Sequence, residues 1–297
     1  MTTYQELVKE IPFQPGVGVY DRCALLDQTF FGWYSLSLRY GLAARPGMLA
    51  EETAQQHTHD YDQLLWFLSA DPEDAWSLGA ELEISLGEEN IRHRIAVPTV
   101  VVIPKGTPHF SPRVLRLDRR FTFLSVNASG ALSASPADPA RRPEDGALGG
   151  FRSAYKENVM DLKFSANNPY HYGSDSYQGS GGVGTLVTSA MTGLNLTMSW
   201  QTVMAPHHVG PRGPGGDYGA HVHGDFDEAL LFLGMDPGDP VPLHAQAEYG
   251  VGQPGKDQTL YLIEKSSAMV MRKGVYHLPL AFTRVDRPLS FLILGNH

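Results

Sequence analysis

The sequence predicts an all-β fold that is built from two similar halves. One observation is an internal repeat, because the segment from His57 to Leu68 recurs between His221 and Leu233. A second is the alternation of apolar and polar residues in stretches such as residues 81–86, which is typical of half-buried strands. A third is the share of turn-forming residues, since 31 glycines and 21 prolines in 297 residues suit many short strands joined by turns.

Other strands are indicated along the chain, whereas long helices are not. Residues 100–103 are Val-Val-Val-Ile and predict a strand that is buried on both faces. Residues 121–126 again alternate, as a half-buried strand would. Helical periodicity appears only briefly, near residues 4–10.

The first copy of the repeat places two histidines two residues apart. Side chains alternate between the two faces of a strand, so His57, His59 and Gln63 are expected on one face. A third histidine, His109, follows the tight turn at residues 104–106. It can reach the same point from a neighbouring antiparallel strand.

The second copy repeats this arrangement with one difference. His221 and His223 form the pair, and His277 follows the turn at residues 272–274. Glu228 lies one position further from its pair than Gln63 does, so it would face the wrong way on a regular strand. We expect a one-residue bulge at Gly224 to correct this.

Three imidazoles and a carboxylate form a mixed nitrogen and oxygen ligand set. Such a set suits Fe(II), Mn(II), Ni(II), Zn(II) or Cu(II), and the identity of the metal is left open. An octahedral ion held by four protein ligands keeps two free positions, which a catalytic metal requires.

The two motifs together resemble those of the cupin superfamily, and two copies in one chain resemble a bicupin. The resemblance implies two tandem double-stranded β-helix barrels of jelly-roll type, each with its metal inside. Carried over residue by residue, it implies ligands at His221, His223, Glu228 and His277 in the second half, and at His57, His59, Gln63 and His109 in the first.

Gln63 is the departure from the family pattern, which has glutamate at this position. A neutral amide oxygen is a poorer ligand than a carboxylate, because it brings no charge to offset the desolvation of the ion. The second site is therefore the preferred metal site. The first site is still expected to hold a metal, since three histidines are kept together there.

The boundary between the halves is visible in the composition. Residues 127–148 are rich in Ala, Ser, Pro and Asp and indicate a linker. We therefore expect one barrel in residues 1–148 and the other in residues 149–297. The glycine cluster at residues 179–184 spells Gly-x-Gly-x-x-Gly, but no apolar strand precedes it. A loop is the expected structure there, with a lid over the barrel mouth as one interpretation of it, and a dinucleotide site is not expected.

Charge and cysteine content restrict the partners. With 23 basic and 32 acidic residues the net charge is −9, so neither nucleic acid nor an anionic membrane is an expected partner. Cys23 is the only cysteine, and no signal sequence or membrane span is evident, which favours a cytoplasmic location. Assembly into a homo-oligomer is left open.

Several other polar residues have two interpretations. His207 and His208 are expected in a solvated loop, with a substrate contact as the alternative. Asp62 and Asp227 are expected to hold turns or backbone groups. Tyr61 would either donate a hydrogen bond to a ligand or fill the core. A set of arginines precedes the motifs and either holds an anionic substrate or lies on the surface: Arg39, Arg45 and Arg212.

These observations favour a metal-dependent enzyme acting on a small enol, phenol or organic acid. A dioxygenase is the main expectation, and a decarboxylase, an isomerase or a non-catalytic binding protein is the alternative. We expect the second metal to face a partly apolar pocket lined from Trp200, Phe232 or Tyr276. Oxalate is disfavoured, because oxalate-metabolising bicupins carry an aromatic residue inside the first histidine pair and an arginine shortly upstream, whereas Thr58 and Val222 stand here.

Overall fold

The structure is a computed structural model of the chain. It describes residues 7–16, 18–49, 55–131, 135–136, 155–165, 180–209, 219–236 and 238–297. Within this part the regular secondary structure is almost all β-strand, and the helices are single turns at Gln28–Phe31 (α1), Lys156–Asn158 (a 3₁₀ turn) and Ser189–Thr192 (α2). No helix in the described residues is long and apolar enough to span a membrane.

The strands in chain order are β1 (Val8–Glu10), β2 (Gln14–Pro15), β3 (Tyr20–Leu26), β4 (Ser37–Ala43), β5 (Gly47–Met48), β6 (His57–Thr58), β7 (Gln63–Ser69), β8 (Ala80–Leu86), β9 (Ile91–Ile95), β10 (Thr99–Ile103), β11 (Arg113–Leu117), β12 (Phe121–Asn127), β13 (Ser135–Pro136), β14 (Val159–Asp161), β15 (Gly184–Val187), β16 (Leu196–Val203), β17 (His207–Val209), β18 (Asp227–Gly234), β19 (Pro242–Val251), β20 (Thr259–Lys265), β21 (Ser267–Met271), β22 (His277–Val285) and β23 (Leu289–Asn296).

The chain divides into two compact units, of which residues 13–162 form the first. Its larger sheet has the strand order β14-β10-β7-β12-β4-β3-β2, and its smaller sheet has the order β5-β11-β8-β9. The inner faces of the two sheets share one apolar core, in which Phe67 and Phe123 of the larger sheet join Leu82 and Ile84 of the smaller one. Two antiparallel sheets closed over such a core form a barrel.

Residues 1–12 and 163–297 form the second unit, which has the same plan. The larger sheet has the order β1-β21-β18-β23-β16-β15, and the smaller sheet has the order β17-β22-β19-β20. Phe232, Phe282 and Phe291 meet at the centre of the core, with ring centroids 4.9–6.1 Å apart. All three side chains are buried.

The central strands of the two larger sheets follow the same order, so the internal repeat extends to the strand arrangement. β10, β7, β12 and β4 of the first unit correspond to β21, β18, β23 and β16 of the second. The edge strands beside β10 and β21 come from different parts of the chain, because β14 follows the linker while β1 precedes the first unit. Each larger sheet therefore ends in a strand from outside its own copy of the repeat.

Most strand predictions are confirmed, and two are changed. Residues 80–86 alternate between buried and half-buried as expected, and residues 99–103 are buried throughout. Residues 121–127 are also buried throughout, so the apparent alternation there does not mark a solvent face. The brief helix expected near residues 4–10 is wrong for residues 8–10, which form β1. The boundary near residue 148 lies outside the described residues and stays a prediction.

Candidate metal centres

Backbone pairing brings the histidines of each half together. The His57 amide donates to the His109 carbonyl at 3.0 Å, and the His109 amide donates back at 2.9 Å. His221 and His277 exchange the same two bonds, both at 2.9 Å. Residues that are paired directly across antiparallel strands project their side chains to one side. The third histidine of each sequence motif thus meets the first.

The expected continuous strand through each motif is wrong. In the first copy a bend at residues 60–61 separates the histidine pair from β7, which begins just after Asp62. In the second copy a bend at residues 224–225 separates the pair from β18, which begins at Asp227. Gly224 lies in a bend and not in a ladder bulge. The segment between His223 and Asp227 is one residue longer than that between His59 and Asp62, and it absorbs the extra residue of the second copy. Gln63 and Glu228 therefore both still reach their clusters.

Two aspartates hold these bends against the turns that precede His109 and His277. The Asp62 carboxylate accepts a hydrogen bond from the Lys105 amide at 2.8 Å, and the Asp227 carboxylate accepts one from the Lys273 amide at 2.9 Å. Their predicted role in holding backbone groups is confirmed. Glycines follow both lysines, with φ of 77° and 83°, a conformation that other residues rarely adopt.

The imidazole rings are oriented by carbonyl groups behind them. Nδ1 of His57, His109 and His277 lies 3.1, 2.9 and 3.1 Å from the carbonyl oxygens of the residues two positions earlier. Donation from Nδ1 leaves the Nε2 lone pair for the centre of the cluster, as is usual for metal-ligating histidines. One ring nitrogen from each histidine lies within 4.8 Å of the other two in both triads.

The ligand atoms of the first triad suit a divalent transition metal. His57, His59 and His109 are all buried. Burial, reinforced by the neighbouring His57, lowers the pKa of His109 to about 3. Neutral imidazole is the form that binds a metal, so His109 is ready to act as a ligand near neutral pH without first losing a proton.

The second triad differs because it surrounds a buried carboxylate. The Glu228 oxygens lie 3.5 Å from His223 Nε2 and 3.2 Å from His277 Nε2. Burial alone would raise the pKa of Glu228, but hydrogen bonds from His223 and His277 lower it well below its usual range. Burial in turn opposes a charge on His277, yet the Glu228 carboxylate raises the pKa of this imidazole above its ordinary value. The four predicted ligands are therefore adjacent.

A polar wall lies beside the first triad. The Gln63 amide nitrogen donates to Asn127 Oδ1 at 2.8 Å and to Ser125 Oγ at 3.2 Å. These residues line a cavity of about 20 Å³ together with His57, His109 and Arg39. A water molecule needs about 10–15 Å³, so the free space is that of one or two water-sized groups.

The matching wall of the second barrel is mostly apolar. The pairing of β18, β23 and β16 shows that Gly295 and Ile293 stand where the first barrel has Asn127 and Ser125, and that Ser199 stands where it has Arg39. Leu230 and Ile293 belong to the second core. At these described positions the second barrel therefore lacks the Asn, Ser and Arg side chains that line the cavity of the first.

The residues expected to line a second pocket lie in different places. Phe232 faces the core and packs against Phe291 at 4.9 Å. Trp200 packs on Phe164 instead, because β16 turns its even-numbered residues away from the core that contains Val203. Tyr276 is exposed.

Other predicted sites resolve as follows. The expected loop is wrong, because both histidines lie in β17. His207 is buried and stacks on Phe282 at 5.0 Å, whereas His208 is exposed. Tyr61 is buried and stacks on His59 at 4.7 Å. Arg45 is a surface residue, with its side chain 54% exposed. Arg212 lies outside the described residues. The loop expected at residues 179–184 is confirmed for residues 180–183, whereas Gly184 begins β15, and the lid stays a prediction.

Arg39, for which the sequence left a substrate contact or a surface position open, lines the cavity beside the first triad. It comes from β4, which pairs with β12 at Ser125. The available signal was strand parity. Ser37, Arg39 and Gly41 alternate with apolar residues in the sequence, which places the arginine on the inner face.

Comparisons with known proteins show the fold. No protein-family model matches the chain, and no curated protein matches it. Oxalate decarboxylase of Bacillus subtilis, described with Mn(II) centres, superposes with a TM-score of 0.63 at 11% identity, over 100% of this chain and 78% of that one. The Lactobacillus farciminis oxalate decarboxylase formate complex gives 0.62 at 12% identity, over 100% and 88%. These likenesses confirm the predicted all-β, two-barrel fold.

Proposed function

We propose that this chain, which has the bicupin fold, is a metal-dependent lyase that decarboxylates a small organic acid in its first barrel. The observation that carries the proposal is the cavity in which Arg39 faces the histidine triad. A guanidinium ion presents paired donors that match a carboxylate, and a metal beside it offers a second point of attachment. The site thus suits an anionic substrate.

The metal, the arginine and the apolar wall of the cavity have different roles in this reaction. A divalent ion bound by the triad would act as a Lewis acid and stabilise negative charge on the substrate. Arg39 holds and orients a carboxylate group. Leu65 and Phe123 form the apolar part of the wall and limit the water in the cavity. A drier cavity strengthens the attraction between the guanidinium and the acid.

The reaction breaks the bond between the carboxylate carbon and its neighbour, releases carbon dioxide and puts a proton in its place. None of the described residues that line the cavity is an aspartate or a glutamate, so this proton comes from water. The small free space of about 20 Å³ restricts the substrate to the shortest acids.

The dioxygenase activity expected from the sequence gains no support from the solved structures above, which are decarboxylases. Arg39 supplies, from another strand, the arginine whose absence upstream of the first histidine pair disfavoured oxalate. Oxalate therefore belongs among the acids to be tested.

The test compares two arginines of the same unit. Protein loaded with Mn(II) is assayed for carbon dioxide release and oxygen uptake on acids of two to four carbons, oxalate included. Arg39→Met should lower kcat/KM at least tenfold, which corresponds to about 1.4 kcal/mol of lost transition-state stabilisation. Arg45→Met is the control, since this side chain is mostly exposed and should leave kcat/KM unchanged.

Two results would contradict the proposal. Oxygen uptake in proportion to substrate loss would show an oxygenase instead. An equal fall in kcat/KM for both arginine variants would show that the cavity is not where the acid binds.

A further inference from the structure

Gln63 and Glu228 occupy the same place in the two barrels, although one is neutral and the other is charged. Gln63 pairs with Asn127, and Glu228 pairs with Gly295, at matching positions of the central strands. A single register thus allows the two sites to be compared ligand by ligand. The difference in charge is accompanied by differences on the two neighbouring strands, where Gly295, Ile293 and Ser199 replace Asn127, Ser125 and Arg39.

The amide of Gln63 is held in one orientation. Its nitrogen carries two hydrogens, and both are engaged, one by Asn127 Oδ1 and one by Ser125 Oγ. Ser125 also donates to Asn127 Oδ1 at 3.1 Å, and Asn127 donates to Ser37 Oγ at 3.4 Å. This buried network turns the nitrogen toward β12 and leaves the carbonyl oxygen for the cavity. Gly295 and Ile293 could not form such a network around Glu228.

The two sites differ in how far their protein side chains offset the charge of a bound divalent ion. Three imidazoles and an amide contribute no charge, so the first set leaves the charge of a divalent ion uncompensated. Arg39 adds a further positive charge, and no described lining residue is acidic. In the second site the Glu228 carboxylate is already buried among the histidines and offsets half of that charge.

We infer that Gln63, oriented by Asn127 and Ser125, is a neutral metal ligand that makes the first barrel the anion-binding half of the molecule. The second barrel holds its metal with its own carboxylate and takes no acid from solution. This assignment rests on the proposed use of the first site and adds the reason why that site, and not its repeat, receives the substrate.

The experiment measures binding without turnover. His223→Ala isolates the first site, Mn(II) affinity is followed by calorimetry, and formate is then titrated while the Mn(II) EPR spectrum is recorded. Gln63→Glu should tighten Mn(II) binding and weaken formate binding, each at least tenfold, because the added carboxylate compensates the metal and repels the acid. Improved formate binding, or no change in either affinity, would overturn the inference.

A second variant covers a failure of Gln63→Glu to fold, which thermal unfolding of the metal-free protein would reveal. Asn127→Ala frees the amide and should weaken Mn(II) binding several-fold, and unchanged affinity would overturn the role of the network. The matched control is Glu228→Gln in a His59→Ala background. It should weaken Mn(II) binding at the second site without creating formate binding as tight as that of the first site, since Ser199 replaces Arg39 there.

The outcomes separate this inference from the proposed function. The predicted changes in Mn(II) and formate affinity, found in a protein that decarboxylates no acid, would support the inference and contradict the function. Decarboxylation by the protein, together with unchanged Mn(II) and formate affinities in Gln63→Glu, would support the proposed function and contradict the inference.

Discussion

At the scale of single residues, the sequence predicted which side chains meet in each cluster, but their electrostatic states could not be predicted. Spacing identified His57, Gln63 and their counterparts, because a histidine pair and a later glycine turn recur in both halves. The pKa shifts depend instead on burial and on which side chains meet across strands. His277 carries a proton more readily than an ordinary histidine because Glu228 lies 3.2 Å away, whereas His109 has no such partner.

This contrast predicts different proton release on metal binding. Because the Glu228 carboxylate raises the pKa of His277, this imidazole holds its proton more strongly than an ordinary histidine, and the proton must leave before the nitrogen can bind a metal. In the metal-free protein, the attraction between protonated His277 and Glu228 stabilises the folded state at low pH. This stabilisation is lost as the pH rises through the raised pKa of His277. His109, with a pKa of about 3, is already neutral at pH 7 and releases none.

Calorimetry in buffers of different ionisation enthalpy measures the released protons. His59→Ala leaves the second site for measurement, and His223→Ala leaves the first. We expect more protons per Mn(II) at the second site, and an affinity there that rises with pH across neutrality. Equal proton release from the two sites would contradict the assignment.

At the scale of elements, the strands and turns were largely predictable, but the bends inside the motifs were not. A strand pattern of period two accounts for His57 and His59, and it fails at residues 60–61 because a bend intervenes. The bend is held by Asp62, whose partner lies 43 positions along the chain at Lys105. Local propensity carries no information about such a distant contact.

The aspartates therefore act on metal binding through the turns. Asp227→Ala removes the acceptor for the Lys273 amide and loosens the turn that positions His277. Mn(II) affinity at the second site should fall about 10–100-fold, the range typical of residues that orient ligands. Asp227→Asn keeps the acceptor oxygen and should restore most of the affinity. Equal losses in the two variants would show that charge, and not the hydrogen bond, matters at this position.

At the scale of the whole molecule, the internal repeat predicted two barrels but not which segments complete them. β1 extends the sheet of the second unit, pairing Val8 with Met269 and Glu10 with Ser267. β14 extends the sheet of the first unit, pairing Val101 with Val159. Both edge strands lie outside the repeated sequence, so a comparison of the two copies could not reveal them.

The last prediction concerns the fragments that fold alone. A cut near residue 148 would separate both edge strands from their sheets, whereas residues 13–162 contain every strand of the first unit. We expect fragment 13–162 to fold and bind one equivalent of Mn(II).

Fragment 163–297 lacks β1, which leaves the edge of β21 unpaired and uncovers the core beneath Leu7 and Val8. Its Tm should rise by several degrees when residues 1–12 are fused ahead of it through a flexible linker, since each kcal/mol shifts the Tm of such a domain by roughly 2–8 °C. A fusion with Lys9→Pro, which breaks the pairing with β21, is the control and should gain less. Equal Tm values for the three proteins, or a fragment 1–148 as stable as fragment 13–162, would show that the edge strands do not complete the barrels.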